Sequence, residues 1–301
     1  MEQWLSPVVA IVALTSVVAT LLVFANSRLR VEEDPRVDGV EELLPHANCG
    51  ACGYAGCRAF SVALVEGKAR PAGCTVSDAP GLAAIARYLG IEVGHSVRRV
   101  ARLACAGGTN VARDRAEYHG LSTCAGKAVL AGGSKGCLWG CLGSGDCERA
   151  CNFHAIQMDL HQLPVVDEDR CTACGDCVTS CPKDLFSLVR ADRRLFVRCS
   201  SQDSGPAALE HCEVACDACG RCAKDEPELV TMRHHLPLVD VSAPHASRRA
   251  IQRCPTGAIV LLDPVLGPIR GEGARAIARQ ERRAIAPAWN QSPFHGKEPS
   301  T

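Results

Sequence analysis

The sequence predicts an α+β chain: one N-terminal transmembrane helix, then small modules stapled through cysteine. Three observations carry this. Twenty cysteines stand in 301 residues, most of them in tight groups. The run from Leu5 to Ala25 carries no charge. Two short stretches that read as strands, each ending in cysteine, recur with a similar pattern after them. Aromatic residues make up only 4% of the chain, so large apolar cores are not expected. Cysteine must then hold modules that bury too little surface on their own. The formal net charge is zero, which leaves no electrostatic footprint for nucleic acid.

Residues 1–27 are the expected anchor. Leu5–Ala25 is broken only by Ser6, Pro7, Thr15, Ser16 and Thr20, and about 20 apolar residues span a bilayer as a helix. Glu2 precedes the run, whereas Arg28 and Arg30 follow it. The positive-inside rule then puts the N-terminus outside and the rest of the chain on the cytoplasmic side of the inner membrane, after a single pass. The competing readings are a buried helix of a soluble protein and a cleaved signal peptide with Val23-x-Ala25 as its processing site. The missing basic leader and the length of the apolar run oppose the second.

Residues 28–95 open with an acidic connector, Val31–Leu44, and continue as a small cysteine-rich domain. Its motif is Cys49-x2-Cys52-x4-Cys57-x16-Cys74, with glycines between the first three thiols to turn them inward. Four cysteines make one closed site, read as a [4Fe–4S] cluster with zinc as the alternative. Arg58–Gly67 reads as a short amphipathic helix, and Pro80–Leu89 as another, stopped by Gly90.

Residues 96–192 carry the most specific signal. Cys137-x3-Cys141-x5-Cys147-x3-Cys151 is followed, after nineteen residues, by Cys171-x2-Cys174-x2-Cys177-x3-Cys181-Pro182. The second half is the bacterial ferredoxin run for [4Fe–4S], in which the fourth cysteine serves the other cluster of a pair. Zinc sites instead present well-separated CxxC pairs, often with histidine. Swapped ligation predicts Cys137, Cys141, Cys147 and Cys181 on one cluster, and Cys171, Cys174, Cys177 and Cys151 on the other.

Residues 193–263 read as a degenerate second copy. Val97–Cys105 and Leu195–Cys199 are both short strands ending in cysteine, each followed by a helical stretch. The second copy keeps Cys212-x3-Cys216-x2-Cys219-x2-Cys222, but Glu226-Pro227 stands where Cys-Pro belongs. Its other half retains only Cys254-Pro255, with Pro244, Ser247 and Ala250 at the remaining ligand positions. One cluster therefore keeps all its ligands, Cys216, Cys219, Cys222 and Cys254, and the other has lost every one. Cys137 aligns with Cys212, which makes Cys212 an alternative to Cys219. The count is four [4Fe–4S] clusters, one in the N-terminal domain, two in the complete ferredoxin-like module and one in the degenerate module.

Cys105, Cys124, Cys199 and Cys212 stay unassigned, as packed thiols or as a further metal site. Residues 264–301 form a basic tail with a helix expected over Ala274–Ala284 and disorder from Ala286. Nothing points to a dinucleotide fold. Gly126-Lys127 is followed by Ala128, where a phosphate loop needs Ser or Thr for magnesium. No nucleophile–base constellation is evident, so the chain reads as an electron carrier without organic chemistry of its own.

Leu44-Pro45-His-Ala-Asn-Cys49-Gly-Ala-Cys52-Gly-Tyr-Ala-Gly-Cys57 behind an N-terminal helix and ahead of double ferredoxin motifs resembles the B subunit of Rnf-type electron-transport complexes. Gly132-Gly-Ser-Lys-Gly-Cys137 and Cys151-Asn-Phe-His-Ala-Ile are similar to that family too. The resemblance implies a translocase that couples electron flow between ferredoxin and NAD to ion pumping. It implies that this subunit takes electrons from soluble ferredoxin and passes them to other membrane subunits. The departure is the cluster missing from the second copy. The alternatives are an iron–sulfur subunit of a different anchored reductase or hydrogenase, and a scaffold folded by metal.

Overall fold

A computed structural model describes residues 2–29, 34–240, 247–263 and 266–277. Helix α1, Glu2–Leu29, holds the apolar run. At about 1.5 Å per residue its 28 residues exceed the thickness of a bilayer core. The hydroxyls of Thr15, Ser16 and Thr20 do not oppose burial in lipid, because each bonds back within the helix. Thr15 Oγ1 donates to Ile11 O at 2.9 Å, Ser16 Oγ to Val12 O at 2.7 Å, and Thr20 Oγ1 to Ser16 O at 2.7 Å. Ile11–Arg28 is long and apolar enough to cross a membrane.

The expected connector is not a connector throughout. Arg36–Glu42 is helix α2, because Val37 and Val40 share a face and bury it. Helix α3, Cys57–Val65, and helix α4, Ala79–Leu89, complete a small core of Val40, Leu44, Phe60, Leu64 and Ile85. Asp78 caps α4 by accepting from Gly81 N at 2.9 Å. Gly90, at φ 65°, closes it in the left-handed conformation, in agreement with the stop expected there.

Strand β1, Arg99–Leu103, stops two residues short of Cys105. Then come α5, Cys124–Val129, and α6, Asp146–Arg149. The hairpin of β2, Ile156–Met158, and β3, Pro164–Val166, leads to α7, Asp176–Thr179, and β4, Phe186–Arg190. Strand β4 returns antiparallel to β1, from Arg99↔Arg190 to Leu103↔Phe186. The core of this part interleaves Leu103, Ile156, Leu185 and Phe186 with Cys141, Cys147, Cys151 and Cys177.

The next stretch runs through the same order. Strand β5, Leu195–Val197, is followed by α8, Gly205–His211, and α9, Arg221–Asp225. The hairpin of β6, Val230–Arg233, and β7, Leu236–Val239, leads to α10, Arg249–Gln252, and β8, Ile259–Asp263. Strand β8 pairs antiparallel with β5, as β4 does with β1. Here Leu195, Val230, Ile251 and Ile259 pack with Cys222 and Cys254. The tail does not begin as coil, since β9, Gly267–Ile269, adds to the free edge of β8. Of the helix expected over 274–284, residues 274–277 are not helical and the rest lie outside the described residues, as does the tail from Ala286.

The two stretches meet at a small contact of Val111, Ala112, Ala208, Val214 and Ala215. Arg113 N donates to His211 O at 2.9 Å and Glu213 N to Val111 O at 3.1 Å, around a bridge from Ala112 to Cys212.

Candidate iron–sulfur sites

Cys49, Cys52, Cys57 and Cys74 line one cavity. Asn48 builds its rim by accepting from Cys57 N at 2.8 Å, which starts α3 with the thiol at its first residue. Ser77 Oγ donates to Cys74 Sγ at 3.2 Å. Thr75, on the same cavity, reaches the neighbouring site through a 2.6 Å bond from its Oγ1 to Thr172 O.

That neighbour is a cavity lined by Cys151, Cys171, Cys174 and Cys177. The loop Cys171–Cys177 wraps it with two left-handed residues, Ala173 at φ 58° and Gly175 at φ 95°. Each turns the chain so that the next thiol faces inward. Ala155 N donates to Cys151 Sγ at 3.3 Å and Ala101 N to Cys171 Sγ at 3.4 Å. Cys151 thus stands with the other half's three thiols, where swapped ligation expected it.

A third cavity is lined by Cys124, Cys141, Cys147 and Cys181. The expected set had Cys137 in place of Cys124, and the structure does not bring that set together. Cys137 lines a separate cavity with Cys105, Cys199 and Cys212. The reason lies in the loop Cys141-Leu-Gly143-Ser144-Gly145-Asp-Cys147, which follows the course of Cys171–Cys177, with Gly143 at φ 71° and Gly145 at φ 75°. Ser144 therefore sits where Cys174 sits in the sister loop, and its buried Oγ has no hydrogen-bond partner among the described residues. The fourth thiol comes from α5 instead. Thr123 caps that helix by accepting from Gly126 N, and Ala125 N donates to Asp146 Oδ2 at 3.1 Å, tying the start of α5 to the start of α6.

Cys222 and Cys254 share a buried core where α9 packs on α10. Burial pushes the Cys216, Cys219 and Cys222 thiols up, and nearby Cys254 adds to the rise in each. The loop repeats the same geometry, with Ala218 at φ 57° and Gly220 at φ 67°. Cys212, the alternative to Cys219, does not join this group. The place of the lost cluster is occupied by protein: Ser247 Oγ donates to Glu226 Oε1 at 2.5 Å, and Ala250 is fully buried. Pro244 lies outside the described residues.

Burial pushes the Cys141, Cys147, Cys177 and Cys216 thiols up to about 12, with neighbouring cysteines adding to the rise. Such thiols stay neutral until a metal deprotonates them. Four sulfurs on one zinc would stand about 3.8 Å apart, given Zn–S of about 2.3 Å. No group of three or more Cys, His, Asp or Glu among the described residues is placed to hold a single metal ion. The thiols surround volumes instead of a point, and their amide donors suit sulfur that carries charge, so the residues present fit a cluster.

Family models match at two of these places: a putative Fe–S cluster over residues 44–76 and a 4Fe–4S dicluster domain over residues 140–185. The B subunit of the Na(+)-translocating ferredoxin:NAD(+) oxidoreductase complex of Acetobacterium woodii is 38% identical, over 79% of this chain and 72% of its own. Its counterpart in the ion-translocating oxidoreductase complex of Methanosarcina acetivorans is 34% identical over 81% and 93%. That of the proton-translocating ferredoxin:NAD(+) oxidoreductase complex of Clostridium ljungdahlii is 36% identical over 79% and 86%. This chain belongs to the B-subunit family of ion-translocating oxidoreductase complexes.

In this member of the B-subunit family the matched dicluster segment ends before Cys199 and begins after Cys137, so the cysteines outside both matched segments rest on geometry alone. Sequence reasoning missed Cys124. Its signal was the x5 gap between Cys141 and Cys147, which is two x2 steps with serine between them. Nothing in the spacing pointed to the residue that makes up the loss.

Proposed function

We propose that this chain relays single electrons from soluble ferredoxin to the other membrane subunits of its complex, through [4Fe–4S] clusters held on the cytoplasmic side of a single-pass anchor. Four ligand sets follow from the geometry: Cys49, Cys52, Cys57, Cys74; Cys151, Cys171, Cys174, Cys177; Cys124, Cys141, Cys147, Cys181; and Cys216, Cys219, Cys222, Cys254. A cluster held in each supplies reversible one-electron chemistry. The observation that carries the reading is adjacency. Thr75 joins the first cavity to the second, and α6 and α7 join the second to the third: Cys147 within α6 lines the third and Cys151 just past it the second, while Cys177 within α7 lines the second and Cys181 just past it the third. The chain's own part is to fix the thiols, exclude water and direct N–H groups at sulfur, which favours added negative charge. The matching order of β1 to β4 and β5 to β8 supports two ferredoxin-like modules, the second degenerate.

The full-length chain, purified without oxygen, should bleach in the visible on mixing with reduced ferredoxin and recover with an oxidant. Bound iron that accepts no electron from ferredoxin or from a low-potential mediator would reduce the metal to a folding aid. A reporter fused after Asp34 should read as cytoplasmic, and a signal from the outer side overturns the topology.

A further inference from the structure

We propose a fifth [4Fe–4S] site in this chain, ligated by Cys105, Cys137, Cys199 and Cys212, at the junction of the two modules. It rests on the relay reading above and adds a station to it. The four thiols line one cavity, as the thiols of each of the first three sets do, and the four cavities are similar in size. With this set the twenty cysteines divide into five groups of four, and none is left over.

The site is built symmetrically from the internal repeat. Cys105 and Cys199 each follow the first strand of a module, and Cys137 and Cys212 each stand four residues before the first cysteine of a wrapping loop. The hydrogen bonds repeat as well. Cys105 Sγ accepts from Gly107 N and Cys141 N, both at 3.4 Å. Cys199 Sγ accepts from the equivalent amides, Ser201 N at 3.5 Å and Cys216 N at 3.3 Å. Paired amides on one sulfur suit a thiolate. Two cations line the cavity. Lys135 is 6% exposed with its Nζ on Gly107 O, and Arg198 enters from the other module. Four thiolates around a cluster carry net negative charge, which offsets the burial of those cations.

Position gives the site its role. The amide of Cys141, a ligand of the third set, donates to Cys105, and the amide of Cys216, a ligand of the last set, donates to Cys199. The new site therefore lies directly between the two modules' clusters. Assembly releases one proton from each thiol, and operation then moves one electron supplied by the ferredoxin-side cluster.

The test is iron and acid-labile sulfide on the anaerobically purified full-length chain, with EPR of the reduced protein. About twenty irons per chain are expected at four per cluster, without zinc. Cys199→Ser should lower this to about sixteen, remove one EPR component and leave the first three sets reducible, while electrons reach the Cys216 set at least ten-fold more slowly. About sixteen irons in the wild type, unchanged in Cys199→Ser and Cys212→Ala, would overturn the proposal and leave the relay standing. Sixteen irons with one zinc overturns it equally. If both variants fail to accumulate, the wild-type count decides alone. Failure of the relay reading is distinct: twenty irons that no donor reduces.

Discussion

At the scale of single residues, Ser144 and Cys124 are a compensating pair. Ser144 occupies the loop position that carries Cys174 in the sister loop, and α5 brings Cys124 to the vacated corner. Cys124→Ser should therefore cost about four irons, the content of one cluster, measured on the full chain. Adding Ser144→Cys to that variant should restore them, because the loop already points that position inward. Failure of Ser144→Cys to rescue, with the loss intact, would remove the equivalence of the two loops. The swapped fourth ligands could be read from the ferredoxin run, because Cys151 and Cys181 each sit one turn past a triplet whose spacing is fixed by the cluster. Cys124 could not. Its place depends on Thr123 capping a short helix and on Asp146 holding that helix's first turn, and neither leaves a periodic trace in the chain.

At the scale of elements, short helices and hairpins position the thiols, and each has little stability of its own. The bond from Ala125 N to Asp146 Oδ2 is the link between α5 and α6, and Asp146 also pairs with Arg149. Asp146→Ala should cost about 1 kcal/mol, the scale of one net hydrogen bond, seen as a lower melting temperature. Its specific mark is faster loss of about four irons to a chelator, one cluster's content, from the Cys124 set alone. Equal loss from all sites would make the link merely structural. Helices α3 and α4 were legible because an apolar period and a Gly90 stop coincide. Helix α2 was hidden inside an acidic stretch, since two valines suffice only once Phe60 and Leu64 are there to receive them. Strand β9 was hidden for a similar reason: a Gly-Pro segment becomes a strand only beside the open edge of β8.

At the scale of the whole molecule, the thiol sets follow one another in a row whose exposure changes along it. Cys219 in the last set is exposed, and all four thiols of the first set are partly so. Cys105, Cys124, Cys141, Cys147 and Cys212 in the middle are buried, while Cys137, Cys181 and Cys199 there are partly exposed. On the proposed relay, electrons would enter or leave most readily at the first set and at Cys219. Every cysteine lies beyond α1, so a chain beginning at Asp34 should be soluble without detergent and keep its full iron content. Loss of iron in that shortened chain would mean that the apolar helix packs against the metal-bearing part.

The junction has a mechanical side. Apart from the shared cavity, few apolar side chains join the two modules: Val111, Ala112, Ala208, Val214 and Ala215. The proposed cluster, held by two thiols from each side, would act there as a rivet as well as a conductor. Oxygen that destroys it would break the circuit and loosen the joint in a single event, so the protein would fail as a fuse does. Limited proteolysis after brief exposure to air should then cut first near residues 191–194, between β4 and β5, before either module is degraded.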